Sequence, residues 1–177
     1  MEYTLIIDKR RKKLLLRVEP TGEVIVKAGL YTSEDIINSF VNKNVEWIKD
    51  KQEYFKSKYH FVKMLDKNLL DEAKSQTKKE MLEIVEKYAS IMEVEPFGVK
   101  ATKAEKRWGS CSGKKSICFS YKCMFLSQFC KEYLVVHELS HIKHMDHSKQ
   151  FYKTVEKYFP QYKEAEKELN GYYIRLK

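Results

Sequence analysis

Four of the chain's five histidines fall in the run HELSHIKHMDH, which begins at His137 and also holds Glu138. On a helix, His137 and His141 stand at i and i+4, so they share one face about 6 Å apart along the axis. Two imidazoles so placed can converge on one zinc ion at ~2.1 Å. Glu138 lies one step round the helix. It is too close to its neighbour to coordinate comfortably, but it can touch a water on such an ion and act as its base. The plainer alternative is a pair of ordinary histidines on an amphipathic helix. The preceding run Tyr133-Leu134-Val135-Val136 argues against it. That run is apolar nearly all round, so the helix is buried, and buried imidazoles and a buried carboxylate need partners. Zn2+ supplies one.

A catalytic zinc takes three protein donors and keeps one position open. His144, His147 and Glu156 are the candidates for the third. If the helix continues, His144 sits ~10.5 Å up the axis from His137, and three donors in a straight column do not surround an ion. His147 can approach from another direction if the helix ends between residues 141 and 147. The chain then turns near His144, where a positive φ would be uncommon for a side chain other than glycine. His147 is therefore the expected third ligand, and His144 a pocket residue that either donates a proton or stands by.

The elements that must position these groups read as α+β. Residues 2–8, 12–19 and 23–28 alternate as strands around a turn at Pro20-Thr21-Gly22, and form a small antiparallel sheet. Thr32 with Asp35 resembles a capping box. Ile36, Ile37, Phe40, Val41, Val45, Trp47 and Ile48 then recur at helical spacing to about Tyr54. Residues 56–66 form a polar connection. A long helix over 67–93 has Leu70, Ala73, Met81, Leu82, Val85, Tyr88, Ala89 and Met92 on its apolar stripe, and Glu95-Pro96 stops it. A strand at 97–104, a WGSC loop at 108–111 and a strand at 116–124 follow. Ser127 caps a helix from 128 to about 144 that carries the first histidines. A helix over 148–159 ends at Pro160, and a short one ends near Asn170-Gly171. Two domains are expected, a strand-and-helix subdomain at 1–60 and a catalytic domain at 61–177.

Composition narrows the class. Hydrophobic residues make up 43% and aromatics 13%, which suits a packed core over disorder. No run approaches the ~18 apolar residues of a membrane span. The first apolar run is too short for a signal-peptide core, and its charges follow it. A soluble, cytoplasmic protein is expected. Cys111, Cys118, Cys123 and Cys130 include no CxxC pair and read as reduced thiols, not as a zinc site. The net charge of +9 favours acidic partners, nucleic acid included. Lysine is interspersed with glutamate along the helices, however, which is the pattern of a solvated face. The oligomeric state stays open.

The runs Arg107-Trp108-Gly109-Ser110-Cys111-Ser112 and Tyr133-Leu134-Val135-Val136-His137-Glu138-Leu139-Ser140-His141, continued through His147-Ser148 and Phe151, resemble the YgjP-like metallopeptidase family. That family is related to the SprT-like and other zincin proteases, and the N-terminal strands and helix resemble it too. One departure is Tyr152, where the family tends to have Trp. The resemblance implies a zincin-like fold with the HExxH helix beside a short sheet. It also implies zinc ligands His137, His141 and His147, a catalytic Glu138, and a peptide or protein substrate. In that chemistry zinc lowers the pKa of a water toward ~7 and polarises the scissile carbonyl. Glu138 takes the water's proton and returns it to the leaving amine. His144, Arg107 or a nearby tyrosine would steady the oxyanion. Strand 116–124 would be an edge that pairs with extended substrate. Trp108 reads as a core ring anchoring a tight turn at Gly109. The rival readings are a zinc-containing nucleic-acid module, a hydrolase of a non-peptide bond, and a peptidase acting on DNA-bound proteins.

Overall fold

Val24, Val26 and Ala28 are buried on one face of β3 (Val24–Ala28), which makes it the central strand of the N-terminal sheet. The order is β1-β3-β2, with β1 spanning Thr4–Ile7 and β2 Leu15–Val18. β2 runs antiparallel to β3 and β1 runs parallel to it. The sheet is thus mixed, where an antiparallel one was expected. The Asp8–Leu14 connection is long enough to step across one strand, so β3 inserts between β1 and β2.

The computed structural model describes residues 1–177. It divides into two units, Met1–Lys63 and Met64–Lys177. In the first unit, the expected single helix is two: α1 (Glu34–Lys43) and α2 (Val45–Lys58). The break is at Asn44, whose side-chain amide donates to the Phe40 carbonyl at 2.7 Å and competes with the helix ladder. The cap of α1 is Ser33, which accepts from the Ile36 amide, one residue after the expected Thr32. Ile37, Val41 and Ile48 join Val18, Val24, Val26 and Ala28 in the core of this unit. Ile36 and Trp47 are exposed despite their place in the periodic pattern. β4 (Phe61–Leu65) falls where a polar connection was expected.

In the second unit, α3 (Leu70–Met92) follows a short 3-10 turn at Lys67–Leu69. Ala73, Met81, Val85, Tyr88 and Met92 are buried along it, whereas Leu82 is exposed. It stops before the Pro96 step, at Glu93, whose φ of 53° lets its amide reach the carbonyls of Ala89 and Ser90. The next sheet has the order β5-β7-β6, from β5 (Gly98–Thr102), β6 (Gly109–Cys111) and β7 (Ser116–Ser120). WGSC therefore ends in a strand and is not a loop. The strand read at 116–124 is β7 followed by a 3-10 turn at Tyr121–Phe125, and it is central, so it offers substrate no free edge. Phe119 and Ile117 drive β7 inside.

Ser127 caps α4 (Gln128–Ser140) as expected, accepting from the Cys130 amide. Val135, Val136, Leu139 and Ser140 of α4 are fully buried, which makes it the core helix of the unit. It ends at Ser140, short of the expected 144. α5 (Lys149–Tyr158), α6 (Tyr162–Leu169) and an unforeseen strand β8 (Tyr172–Leu176) complete the chain. The expected α+β class holds, with the histidine helix packed beside a short sheet. All four cysteines are free. No helix is long and apolar enough to cross a membrane.

Candidate metal centre

The early end of α4 is what gathers the histidines. After Ser140 the chain tightens, with the Ile142 amide donating to the Leu139 carbonyl and the Lys143 and His144 amides to the Ser140 carbonyl. His144 makes this turn without a positive φ. Ser148 then opens α5 by accepting from the Phe151 amide. His147, between the two helices, returns to α4. One ring nitrogen from each of His137, His141 and His147 lies within 4.8 Å of the others. Glu156 is exposed and outside this group. The His144 ring is outside it as well, although its backbone takes part.

Two hydrogen bonds select the nitrogens that face inward. The Tyr133 hydroxyl donates to Glu166 Oε1 at 2.8 Å and lies 3.3 Å from His137 Nδ1. With its proton committed to the carboxylate, that hydroxyl accepts from Nδ1–H of His137. The His144 carbonyl can only accept, and His141 Nδ1 sits 3.0 Å from it. Both rings therefore carry their protons on Nδ1 and leave Nε2 as a bare lone pair. His147 Nε2 is 3.2 Å from His137 Nε2.

Donors to one tetrahedral zinc at ~2.1 Å lie roughly 3.4 Å apart, so this spacing fits a divalent ion. Burial, followed by the charges His141 and His147 would carry, pulls His137 down to about 4. Burial also lowers His141. Neutral imidazoles are the form a metal needs.

Phe151, fully buried on α5, forms the floor of the site. Its ring centroid is 4.9 Å from that of His137, 4.5 Å from His141 and 4.8 Å from His147. One aromatic ring thus packs against all three imidazoles and restricts their rotation.

Glu138 is 4% exposed, and its Oε2 has no hydrogen-bond partner. Burial pushes this carboxyl up to about 8, and Arg107 opposes the shift. A buried acceptor left unpaired is costly and marks a group held ready for something else. Its other oxygen lies against Gly109 of β6. A Cβ on that glycine would collide with Oε1 and stand 2.9 Å from Cδ and 3.0 Å from Cγ. The glycine is there for the close approach of Glu138 and not for a tight turn, since its φ is ordinary.

His137 and Glu138 open onto a cleft of about 410 Å3 lined also by Arg107, Trp108, Gly109, Tyr133, Glu166 and Asn170. Trp108 packs on the core, meets Tyr172 edge-on and carries the Lys122 ammonium over its ring at 4.2 Å. Cys111 stays a thiol, its pKa raised by burial and then by Glu138.

Sequence reasoning passed over Tyr133, Glu166 and Phe151 as working parts of the site. Tyr133 could have been found, since it stands four residues before His137 on the same helical face. Glu166 arrives from α6 and carried no local signal.

The YgjP-like family model, described as a metallopeptidase domain, matches residues 57–172, more than half of the chain. No curated protein matches. Among solved structures, the metallopeptidase zymogen of Pyrococcus abyssi abylysin is similar over 50% of this chain and 90% of its own, at 25% identity and a TM-score of 0.47. A metallopeptidase works with a metal ion on peptide or protein substrates, and the chain belongs to the YgjP-like metallopeptidase family.

Proposed function

We propose that this metallopeptidase is a zinc enzyme in which His137, His141 and His147 hold the ion and Glu138 is the general base. The observation that carries the reading is the meeting of three inward-facing imidazole nitrogens within 4.8 Å, beside a buried carboxylate with an unpartnered oxygen. Nitrogen donors in a set of three suit zinc, and three protein donors leave a fourth position open, as in hydrolytic sites. Bound there, zinc would polarise the scissile carbonyl and bring the pKa of a water toward ~7.

The chain's own residues supply the rest. Tyr133 and the His144 carbonyl orient two of the rings through their Nδ1–H groups. Phe151 excludes water from beneath. Glu138 receives a proton at Oε2 as water adds to the carbonyl carbon and releases it to the leaving nitrogen. An extended substrate adds to the outer edge of β6, which lies beside α4, because β7 is already paired on both sides.

The test compares wild type with Glu138→Gln on casein and on a quenched fluorescent peptide, with zinc content measured on both proteins. The amide keeps the shape of the carboxylate and cannot take a proton. Zinc stoichiometry should be unchanged and turnover lost. Full activity in the glutamine variant would refute the general-base assignment, and a protein that takes up no zinc would refute the metal site.

A further inference from the structure

The segment between β5 and β6 is held unusually firmly for a connection. The Ser120 amide donates to the Trp108 carbonyl at 2.7 Å, and Ser120 Oγ donates to the Ala104 carbonyl at 2.6 Å. Lys122 Nζ donates to the Glu105 carbonyl at 3.0 Å. The Glu105 carboxylate is held by the Tyr121 hydroxyl at 2.7 Å and by Arg175 at 3.2 Å. Lys122 is itself buried, with its pKa lowered by burial, and lies against the Trp108 ring. The residues on both sides of Lys106-Arg107 are therefore fixed to the core.

Arg107 contrasts with this anchored frame. It is exposed, and no hydrogen bond or ion pair engages its guanidinium. It lines the same cleft as His137 and Glu138. A rigid backbone presenting a free cation to the cleft that holds the base is preorganised for charge that forms during reaction.

The other candidate donors are committed or absent. The proton of Tyr133 goes to Glu166. His144 does not line the cleft, and its carbonyl is taken by His141. Asn170 lines the cleft but carries no charge to answer that of an oxyanion.

We propose that Arg107 is a catalytic residue: its guanidinium binds the scissile carbonyl oxygen and stabilises the negative charge that develops there. This rests on the peptidase reading above. Addition of water forms a C–O bond, moves the C=O π pair onto the oxygen facing Arg107, and puts one proton on Glu138. Collapse restores the C=O bond and breaks the C–N bond, and the proton on Glu138 passes to the leaving nitrogen. Arg107 neither gains nor loses a proton.

The test uses the full-length, zinc-loaded protein with Arg107→Ala and Arg107→Lys. Cleavage of a fluorogenic peptide should fall about 10²–10³-fold in kcat for the alanine variant, with KM within threefold of wild type. Lysine should recover part of the loss. Zinc content and Tm should stay unchanged.

Calorimetry supplies a second readout that needs no turnover. A phosphinate peptide, which imitates the tetrahedral anion, should lose affinity by a similar factor in Arg107→Ala. Binding of the matching amide, measured on a Glu138→Gln background, should not change. A kcat within fivefold of wild type, equal phosphinate affinity, or a defect confined to KM would overturn the proposal. The last outcome would make Arg107 a ground-state anchor, which amidation of the substrate's C-terminus would reveal. If wild type binds phosphinate but cleaves no peptide, the peptidase reading fails while the arginine is still judged by the binding ratio. Absence of phosphinate binding to wild type would overturn both.

Discussion

Replacing Gly109 by alanine should damage the reaction without touching a histidine. The added methyl would collide with Glu138 Oε1 and lie 2.9 Å from Cδ and 3.0 Å from Cγ, so the carboxylate has to move. Glu138 is 4% exposed, with Val135 and Leu139 of α4 fully buried beside it, so the carboxylate is displaced toward the cleft that it lines. Overpacking of this kind costs about 1–3 kcal/mol. In a chain of this size that corresponds to a fall in Tm of roughly 2–12 °C.

The functional loss should exceed the structural one. A displacement near 1 Å in a group that transfers protons can cost about 10²-fold. The three atoms nearest the added methyl all belong to Glu138 and none to an imidazole, so zinc should remain bound one to one. The assay is kcat/KM on a fluorogenic peptide well below the variant's Tm, with zinc measured on the same sample. An alanine variant with at least half of wild-type activity would refute the reasoning, as would one that loses activity only in proportion to lost zinc. A second substitution separates strain from placement. Gly109→Ala combined with Glu138→Gln should add almost nothing to the defect of Glu138→Gln, because the base is already gone.

Tyr133→Phe removes the hydroxyl that accepts from His137 Nδ1–H, and competition against a fluorescent chelator should show zinc affinity reduced about 10–100-fold. An unchanged affinity would mean that Phe151 alone orients the ring. Thiol labelling of the folded protein should divide the cysteines. Cys123 and Cys130 are buried, and burial pushes each thiol up to about 12, so they should react only on unfolding, whereas Cys111 and Cys118 are partly exposed and should react first.

The histidine motif was legible because its chemistry is local. His137, Glu138 and His141 need only a helix to bring them together, and Ser127 and the apolar run after it announce that helix. The buried stripe of α3 was legible for the same reason, since periodicity accumulates over many turns. What escaped is short or non-local. β6 has three residues, too few to show alternation, and its Gly and Ser looked like turn chemistry. The place of β7 in the centre of its sheet depends on β5 pairing with it in parallel across the intervening hairpin, which no local pattern states. The parallel pairing of β1 with β3 was hidden likewise. Asn44 split one periodic pattern into two helices through a single side-chain hydrogen bond, and periodicity alone does not register that.

His144 shows how a residue can matter at a site through a part of itself that its side chain does not reveal. HExxH fixes two donors on one helical face but says nothing about where the chain goes next. A third donor comes within reach only if the helix ends soon after His141. It does so in a turn whose amides bond back to Leu139 and Ser140. The His144 carbonyl, free of any helix ladder, is then available to His141 Nδ1 at 3.0 Å. One contact thereby does two things: it sets the tautomer of His141 and it ties the turn that delivers His147. The turn needs no left-handed residue, so glycine has no advantage there and a histidine is accommodated. It is the backbone oxygen of His144, and not its imidazole, that is bound into the geometry of the centre.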